Sequence, residues 1–371
     1  MGVMEMKRLI LTMSFPIMIS MLVQALYNIV DSMFVARVSE AALNAVSICY
    51  PVQMIMVAVA CGTGVGINAL LSRSLGEQKP ETAEQVAMHG LFLAACSWIV
   101  FALIGLFCAE AFLSLFASDA EIMAMGVSYM QICTICSIGV FAEIAYERIM
   151  QSTGNPIYNM IIQGAGALIN IILDPILIFG MFGLPQMGVS GAALATVIGQ
   201  IAAMFLGAYI TRRKVKEIQV RLRKFRIDPR LIARMYRIAV PAILMQSVMS
   251  FMTVMMNMIL VSFSALAVSV FSIYYKLQQF VFMAVLGMTN AIVPIISYNF
   301  GAGNKERITQ AIRFSLWFAA GIMLIGTLLF QLFPDRLLML FEAGEQMLAI
   351  GISALKTISL SFLFAGISMV L

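Results

Sequence analysis

Residues 9–35 read LILTMSFPIMISMLVQALYNIVDSMFV, a stretch whose first ionisable acid or base is Asp31. The hydrocarbon core of a bilayer, about 30 Å thick, is crossed by about 20 apolar residues rising 1.5 Å each, so this stretch spans it as one helix. Pro16 would break a helix in water, but a membrane helix tolerates proline where neighbouring groups satisfy the freed carbonyl. Lys7 and Arg8 before it resemble the start of a secretory signal. The block nevertheless runs past twenty residues without a small-residue cleavage site, and so reads as a first transmembrane helix.

Comparable blocks recur at 43–70, 87–108, 124–147, 157–180, 189–211, 238–261, 268–293, 309–331 and 347–370, giving ten candidate helices. The chain is 62% apolar and 11% charged, with mean hydropathy +0.98, whereas soluble domains are about 45–50% apolar and about 25% charged. A soluble enzyme is excluded on that ground. A β-barrel is excluded because its strands alternate apolar and polar residues. The expected class is an all-α integral membrane protein.

Eleven of the 23 basic residues lie between Arg212 and Arg237, in one loop rather than along a face, which argues against nucleic acid as a partner. With the N-terminus in the cytoplasm, 19 of the 23 fall inside. Arg37 and Arg336 fall outside, and Lys276 and Lys356 lie within spans. This asymmetry predicts a multi-pass protein of the cytoplasmic (inner) membrane with a cytoplasmic N-terminus. All six cysteines lie in apolar blocks, where a thiol packs as a small hydrophobe, and no disulfide framework is expected.

The chain also matches itself at an offset of 225: Pro16 with Pro241, Tyr50 with Tyr275, Gln53 with Gln278, Gly62 with Gly287, Gly76 with Gly301, Gln85 with Gln310, and Leu115-Phe116 with Leu340-Phe341. An offset of six helices, an even number, preserves orientation, so the copies form parallel repeats about an axis near the membrane normal. The expected organisation is an N-lobe at 1–211 with helices 1 to 6, a basic cytoplasmic linker at 212–237, and a C-lobe at 238–371 with helices 7 to 10. Because Leu371 corresponds to Tyr146, the second lobe is expected to lack its last two helices.

Ionisable groups at bilayer depth cost roughly 2.5–3.5 kcal/mol each on insertion scales and are functional candidates by default. Gln24, Tyr27, Asn28 and Asp31 share one face of the first helix, and Gln163, Asn170 and Asp174 one face of the fifth. Pro175 removes a backbone bond and frees the carbonyl of Ile171 beside Asp174. Oxygen ligands of this kind suit a proton or a small hard cation. The alternative is that each aspartate is a hydrogen-bonded tie between helices. In the second copy Asp31 maps to Met256 and Asn28 to Thr253, which places cation coupling in the first.

Asn28, Gln163, Lys276 and Gln278 are candidate substrate contacts, with snorkelling as the alternative for Lys276. Glu143 and Glu147 lie one turn apart near the cytoplasmic end of the fourth helix, where Arg148 is expected to neutralise one of them in a structural ion pair. Cys133 and Cys136 read as packing residues. Gly62-Thr-Gly-Val-Gly66 lacks the strand and the Lys-Ser/Thr of a nucleotide loop and reads as a helix-packing segment. His89 stands at the start of the third helix without further metal ligands nearby in sequence.

Several strings together resemble the multidrug and toxic compound extrusion (MATE) family, bacterial type, over the whole chain. They are Phe15-Pro16 with Ala25-Leu-Tyr-Asn-Ile-Val-Asp31-Ser-Met-Phe-Val-Ala, Ser72-Arg-Ser-Leu-Gly76, Gln151-Ser-Thr-Gly-Asn-Pro156, Asn170-Ile-Ile-Leu-Asp174-Pro-Ile-Leu-Ile-Phe-Gly180 and Met187-Gly-Val-Ser-Gly-Ala-Ala-Leu-Ala-Thr196. The resemblance implies two six-helix lobes in a V, here reduced to ten helices. It implies that Asp31, Gln24 and Tyr27, with Asn170, Asp174 and Thr196, form a first-lobe network that binds H⁺ or Na⁺, the Na⁺ at Asp31, Asn170 and Asp174. The implied activity is cation-coupled efflux of small amphipathic organic cations by alternating access. That is antiport by a monomer in a lipid bilayer, without a cofactor and not an enzyme. A flippase for a lipid-linked precursor is the alternative; it calls for a large basic cavity, and only Lys276 and Lys356 supply positive charge within the spans.

Overall fold

The computed structural model describes residues 1–116, 119–215, 217–218, 225–339 and 345–370; Leu340, Phe341 and linker positions 216 and 219–224 lie outside them. Helices follow in the order α1 (Met6–Ala36), α2 (Glu40–Gly76), α3 (Pro80–Leu113), α4 (Ala120–Ile135), α5 (Ile138–Ser152), α6 (Pro156–Phe179) and α7 (Gly188–Lys214). After the linker come α8 (Pro229–Phe263), α9 (Ala265–Gly301), α10 (Lys305–Leu332), α11 (Pro334–Met339), α12 (Glu345–Ser359) and α13 (Phe362–Val370). No strand occurs among the described residues. Eight of the helices are long and apolar enough to cross a membrane, and the pairs α4–α5 and α12–α13, each bent by 41° at a short break, bring the number to as many as ten if each pair is one span. Helices therefore stand at all ten expected positions in order, and two of them are broken pairs.

The offset of 225 reappears in the helix ends. α2 and α9 each have 37 residues, and each is capped by a serine, where Ser39 Oγ accepts from the amide of Ala42 and Ser264 Oγ from that of Ala267, both at 3.0 Å. A cap of this kind satisfies one of the orphan amides at a helix start.

Both bent spans break at a pair of residues, Cys136-Ser137 and Leu360-Ser361. A break leaves carbonyls without helical partners, and in lipid these need replacement donors. Trp98 of α3 donates its indole N–H to the carbonyl of Ile135 at 2.7 Å. In the second half, Gln331 of α10 donates to the carbonyl of Lys356 at 2.6 Å, and Thr327 to that of Ser359 at 3.1 Å. In each half, then, the neighbouring helix repairs the break.

Lipid tails are as apolar as leucine, so helices associate in a membrane by close packing, which small residues permit. α2 packs on α8 and α9 on α1. Gly62 lies against Ile243 and the carbonyl of Ala239, while its repeat partner Gly287 lies against Met18. The Gly62–Gly66 segment is a packing surface, as expected. Further along, Gly76 abuts the carbonyl of Tyr298 and Gly301 that of Arg73, so a Cβ at either position would collide with backbone. Close contacts between the halves thus gather at the end that carries Arg73, Lys79 and Arg307, the basic end.

Two further ties lie there. Arg307 donates to the carbonyls of Met1 and Met4 at 3.0 and 2.7 Å, fixing the N-terminal segment to the second half. His89, fully buried, donates from Nδ1 to the carbonyl of Gln85 at 2.8 Å and accepts at Nε2 from the amide of Asp228 at 2.9 Å. Phe225 packs on its ring. The lone histidine thereby docks the linker onto α3.

Candidate functional site

The polar faces read from the sequence converge between α1, α5, α6 and α7. α6 continues through Pro175 to Phe179, placing Asn170 and Asp174 one turn apart and almost fully buried. The amide of Asn170 donates to Asp174 Oδ1 at 3.3 Å and to Thr196 Oγ1 of α7 at 3.2 Å. Across from them on α1, Gln24 accepts from Gln163 Nε2 of α6 at 3.5 Å. Asp31 is near enough to Asp174 for its charge to act on the Asp174 carboxyl, and Tyr27 lies within electrostatic reach of Asp31 and of Glu143. The cation-coupling residues expected from sequence thus form one neighbourhood.

Its unsatisfied atoms define its chemistry. Asp31 Oδ1, Asp174 Oδ2, Asn170 Oδ1, Gln163 Oε1 and Glu147 Oε1 are buried without a hydrogen-bond partner. All five are acceptors, and leaving such a group unpaired in a buried site costs about 1–3 kcal/mol. Acceptors of this kind can be satisfied by ordered water, by a proton or by a hard cation, which takes oxygen ligands. Asp31, Asn170 and Asp174 fit that role.

A cavity of about 70 Å³ opens beside this cluster, with Gln24, Tyr27, Gln163, Asn170 and Thr196 in its walls and Glu143 and Glu147 of α5 opposite. The volume is room for a few water molecules. Gln200, one turn beyond Thr196 on α7, also lines it and went unnoticed in the sequence, although its spacing from Thr196 is the signal that would have found it. Asn28 and Lys276 are exposed, and neither they nor Gln278 line the cavity.

The expected ion pair on α5 is overturned. Among the described residues, the ion pairs within 4 Å join Glu77 to Arg73 and to Lys79, and none joins Arg148 to Glu143 or Glu147. Arg148 instead donates to Gln151 Oε1 at 2.9 Å and to Asn290 Oδ1 of α9 at 3.4 Å. Consecutive residues on a helix do not face the same way, so Arg148 turns towards the second half while Glu147 turns into the cavity. A buried hydrogen-bonded chain continues from Gln151 through Asn159 towards Ser20 of α1. It links α1, α5, α6 and α9 below the cavity, a network that sequence reasoning missed because its members are single polar residues scattered over four helices.

Comparison with known proteins agrees with this architecture. The MatE family model matches residues 16–176 and 241–371, two stretches whose starts are again 225 apart. The multidrug export protein MepA of Staphylococcus aureus (strain MSSA476) is 26% identical over 357 residues, covering 95% of this chain and 78% of that protein. Among solved structures, the outward-facing conformation of a multidrug resistance MATE family transporter of the MOP superfamily superposes with a TM-score of 0.92 at 25% identity, covering 99% of this chain and 81% of the other. A MOP superfamily transporter from Pyrococcus furiosus, reported with a reversed polarity of its binding pocket, gives 0.91 at 26% identity over the same shares. The chain is a multi-pass membrane protein of the MatE family, and hence a transporter rather than an enzyme.

Proposed function

We propose that this chain exports small amphipathic organic cations from the cytoplasm in exchange for H⁺ or Na⁺. The observation that carries the reading is the set of orphaned buried acceptors around Asp31, Asn170 and Asp174. Residues 1–211 and 238–371 act as two lobes joined by the linker at 212–237, with the N-terminus and the basic end in the cytoplasm. In this arrangement the cytoplasmic side is closed by the contacts at Gly76 and Gly301, and the likeness to an outward-facing relative supports that assignment.

The mechanism follows from charge. Asp31 and Asp174 bear neighbouring like charges in a water-poor wall, and a proton or Na⁺ bound there removes the repulsion and fills the open acceptor sites. The neutralised cluster lets the Pro16-bearing α1 repack against α6, where Gln24 accepts from Gln163. An organic cation competes for the same negative field, so ion and substrate bind in alternation, which is the condition for antiport. The acceptor-rich cavity weighs against an anionic lipid-linked cargo, because Lys276 stands outside it.

The test is efflux of a fluorescent organic cation from vesicles under an imposed pH gradient and then a Na⁺ gradient. Acceleration by one gradient, abolished in Asp31→Asn, is the expected result. Efflux indifferent to both gradients would overturn the reading.

A further inference from the structure

The last turn of α7 carries Arg212 and Arg213, both exposed. They extend an outward-facing apolar stripe: Ile198, Phe205 and Tyr209 are 41%, 66% and 62% exposed, and their spacing keeps them on one face of the helix with the two arginines. The opposite face of this end is buried, with Ile210 and Val215 in the core of the first half. Rising 1.5 Å per residue from Gly188, α7 has crossed about 30 Å of hydrocarbon by Tyr209. An exposed tyrosine there marks the membrane–water interface, and the Arg213 guanidinium stands 5.8 Å from the centroid of its ring. Neither arginine has an acid within 4 Å, since among the described residues the ion pairs are those of Glu77 with Arg73 and Lys79. Of the nearby linker acids, Asp228 is taken up in capping α8, where it accepts from the amide of Arg230 at 2.9 Å, and Glu217 is exposed and pairs with neither. Charge that served topology alone would need a location and no arrangement.

We infer that Arg212 and Arg213, with Tyr209, bind the headgroup of an anionic phospholipid in the leaflet at the basic end. Charge complementarity selects the class of ligand. Guanidinium groups take phosphate oxygens through parallel N–H bonds, and a headgroup of net negative charge suits a site with no acid of its own, whereas a zwitterionic one brings a further cation beside two arginines. Continuity with the apolar stripe selects a lipid over a soluble phosphate: acyl chains lie along Phe205 and Ile198 while the phosphate meets the guanidinium pair, so both parts of the molecule are served by one face. The site stands where the linker begins. Val215 and Ile218, 3% and 2% exposed, pack into the core of the first half, and His89 holds the amide of Asp228 further along. A headgroup at the end of α7 therefore steadies the first residues of the segment that joins the halves. None of the coupling residues enters this inference, so it stands or falls apart from the exporter reading.

The experiment measures, by native mass spectrometry, the lipid retained by the full chain released from nanodiscs of equal parts phosphatidylglycerol and phosphatidylcholine. The wild type is expected to retain phosphatidylglycerol in preference by at least about tenfold, and Arg212→Gln/Arg213→Gln to reduce that preference to about twofold. Arg212→Lys/Arg213→Lys, which keeps the charge and loses the planar fork, should fall between them. Lys7→Gln/Arg8→Gln removes two exposed charges from the same end on α1 and should leave the preference as in the wild type. The single variants Arg212→Gln and Arg213→Gln, each checked by size-exclusion profile, carry the test if the double variant fails to fold. A wild type without preference, a preference retained in the glutamine variants at 212 and 213, or an equal loss in Lys7→Gln/Arg8→Gln would overturn the inference. Displacement of the retained lipid by water-soluble glycerol phosphate as readily as by phosphatidylglycerol would overturn it as well, by making the ligand a free phosphate.

Discussion

Asn170 carries the candidate site at the scale of a residue, since one amide bridges Asp174 on its own helix and Thr196 on α7 while its oxygen stays open. Replacing it with alanine strips a donor from two buried acceptors, at a cost of about 1–3 kcal/mol. Asn170→Ala is therefore expected to lower the thermal midpoint and to slow gradient-driven export at least about tenfold, one factor of ten being about 1.4 kcal/mol. Unchanged transport with a lowered midpoint would reduce Asn170 to a structural tie. Gln24, Gln163, Asn170 and Asp174 were legible because polar residues spaced at helical intervals in an apolar block share a face. Glu143 and Glu147 were misread for a geometric reason: a basic neighbour in sequence was taken for a partner in space, although on a helix adjacent side chains diverge.

Spans and caps are matters of the element. Ten apolar blocks gave the positions of the apolar helices in order, eight of them as single helices long enough to cross a membrane, because length and hydropathy mark such segments. The two breaks were not legible, since Cys136-Ser137 and Leu360-Ser361 contain neither glycine nor proline, and what permits each is a donor from another helix. Trp98→Phe keeps an aromatic ring but removes the indole N–H together with part of the ring volume, so it is expected to destabilise the protein by at least about 1–2 kcal/mol, read in the thermal midpoint. No change would show that another group satisfies Ile135.

The end of α2 allows a pH test. Glu77, just beyond the span, accepts from Lys79 at 2.9 Å and from Arg73 at 2.8 Å, and these bonds hold its carboxyl below the usual value of about 4.5. A depressed carboxyl contributes stability that is present above its ordinary value and is lost as pH falls through the folded one. For an exposed pair the contribution is about 0–1 kcal/mol. The stability difference between wild type and Glu77→Gln should thus be small at neutral pH and vanish in acid. A difference that grows below pH 4 would contradict the assignment.

The internal repeat was legible in the whole molecule as a constant offset that survives through loops. Which end of the halves closes was not, because closure depends on backbone approaching backbone at Gly76 and Gly301. A methyl group there meets a carbonyl, and overpacking of this kind costs about 1–3 kcal/mol. Gly76→Ala is expected to shift the population towards a form opened at the basic end, seen as a longer spin-label distance between the ends of α2 and α9. An unchanged distance distribution would mean that the contact does not hold the closed form.

The central claim is that an ion at Asp31, Asn170 and Asp174 and an organic cation exclude each other. Its most direct test is displacement: a primary ammonium substrate is added to purified protein loaded with ²²Na⁺ or held in weak buffer, and released ²²Na⁺ or protons are counted. The account predicts saturable release of one of the two ions from the wild type and none from Asp174→Asn. Substrate binding that releases neither ion from the wild type would contradict it.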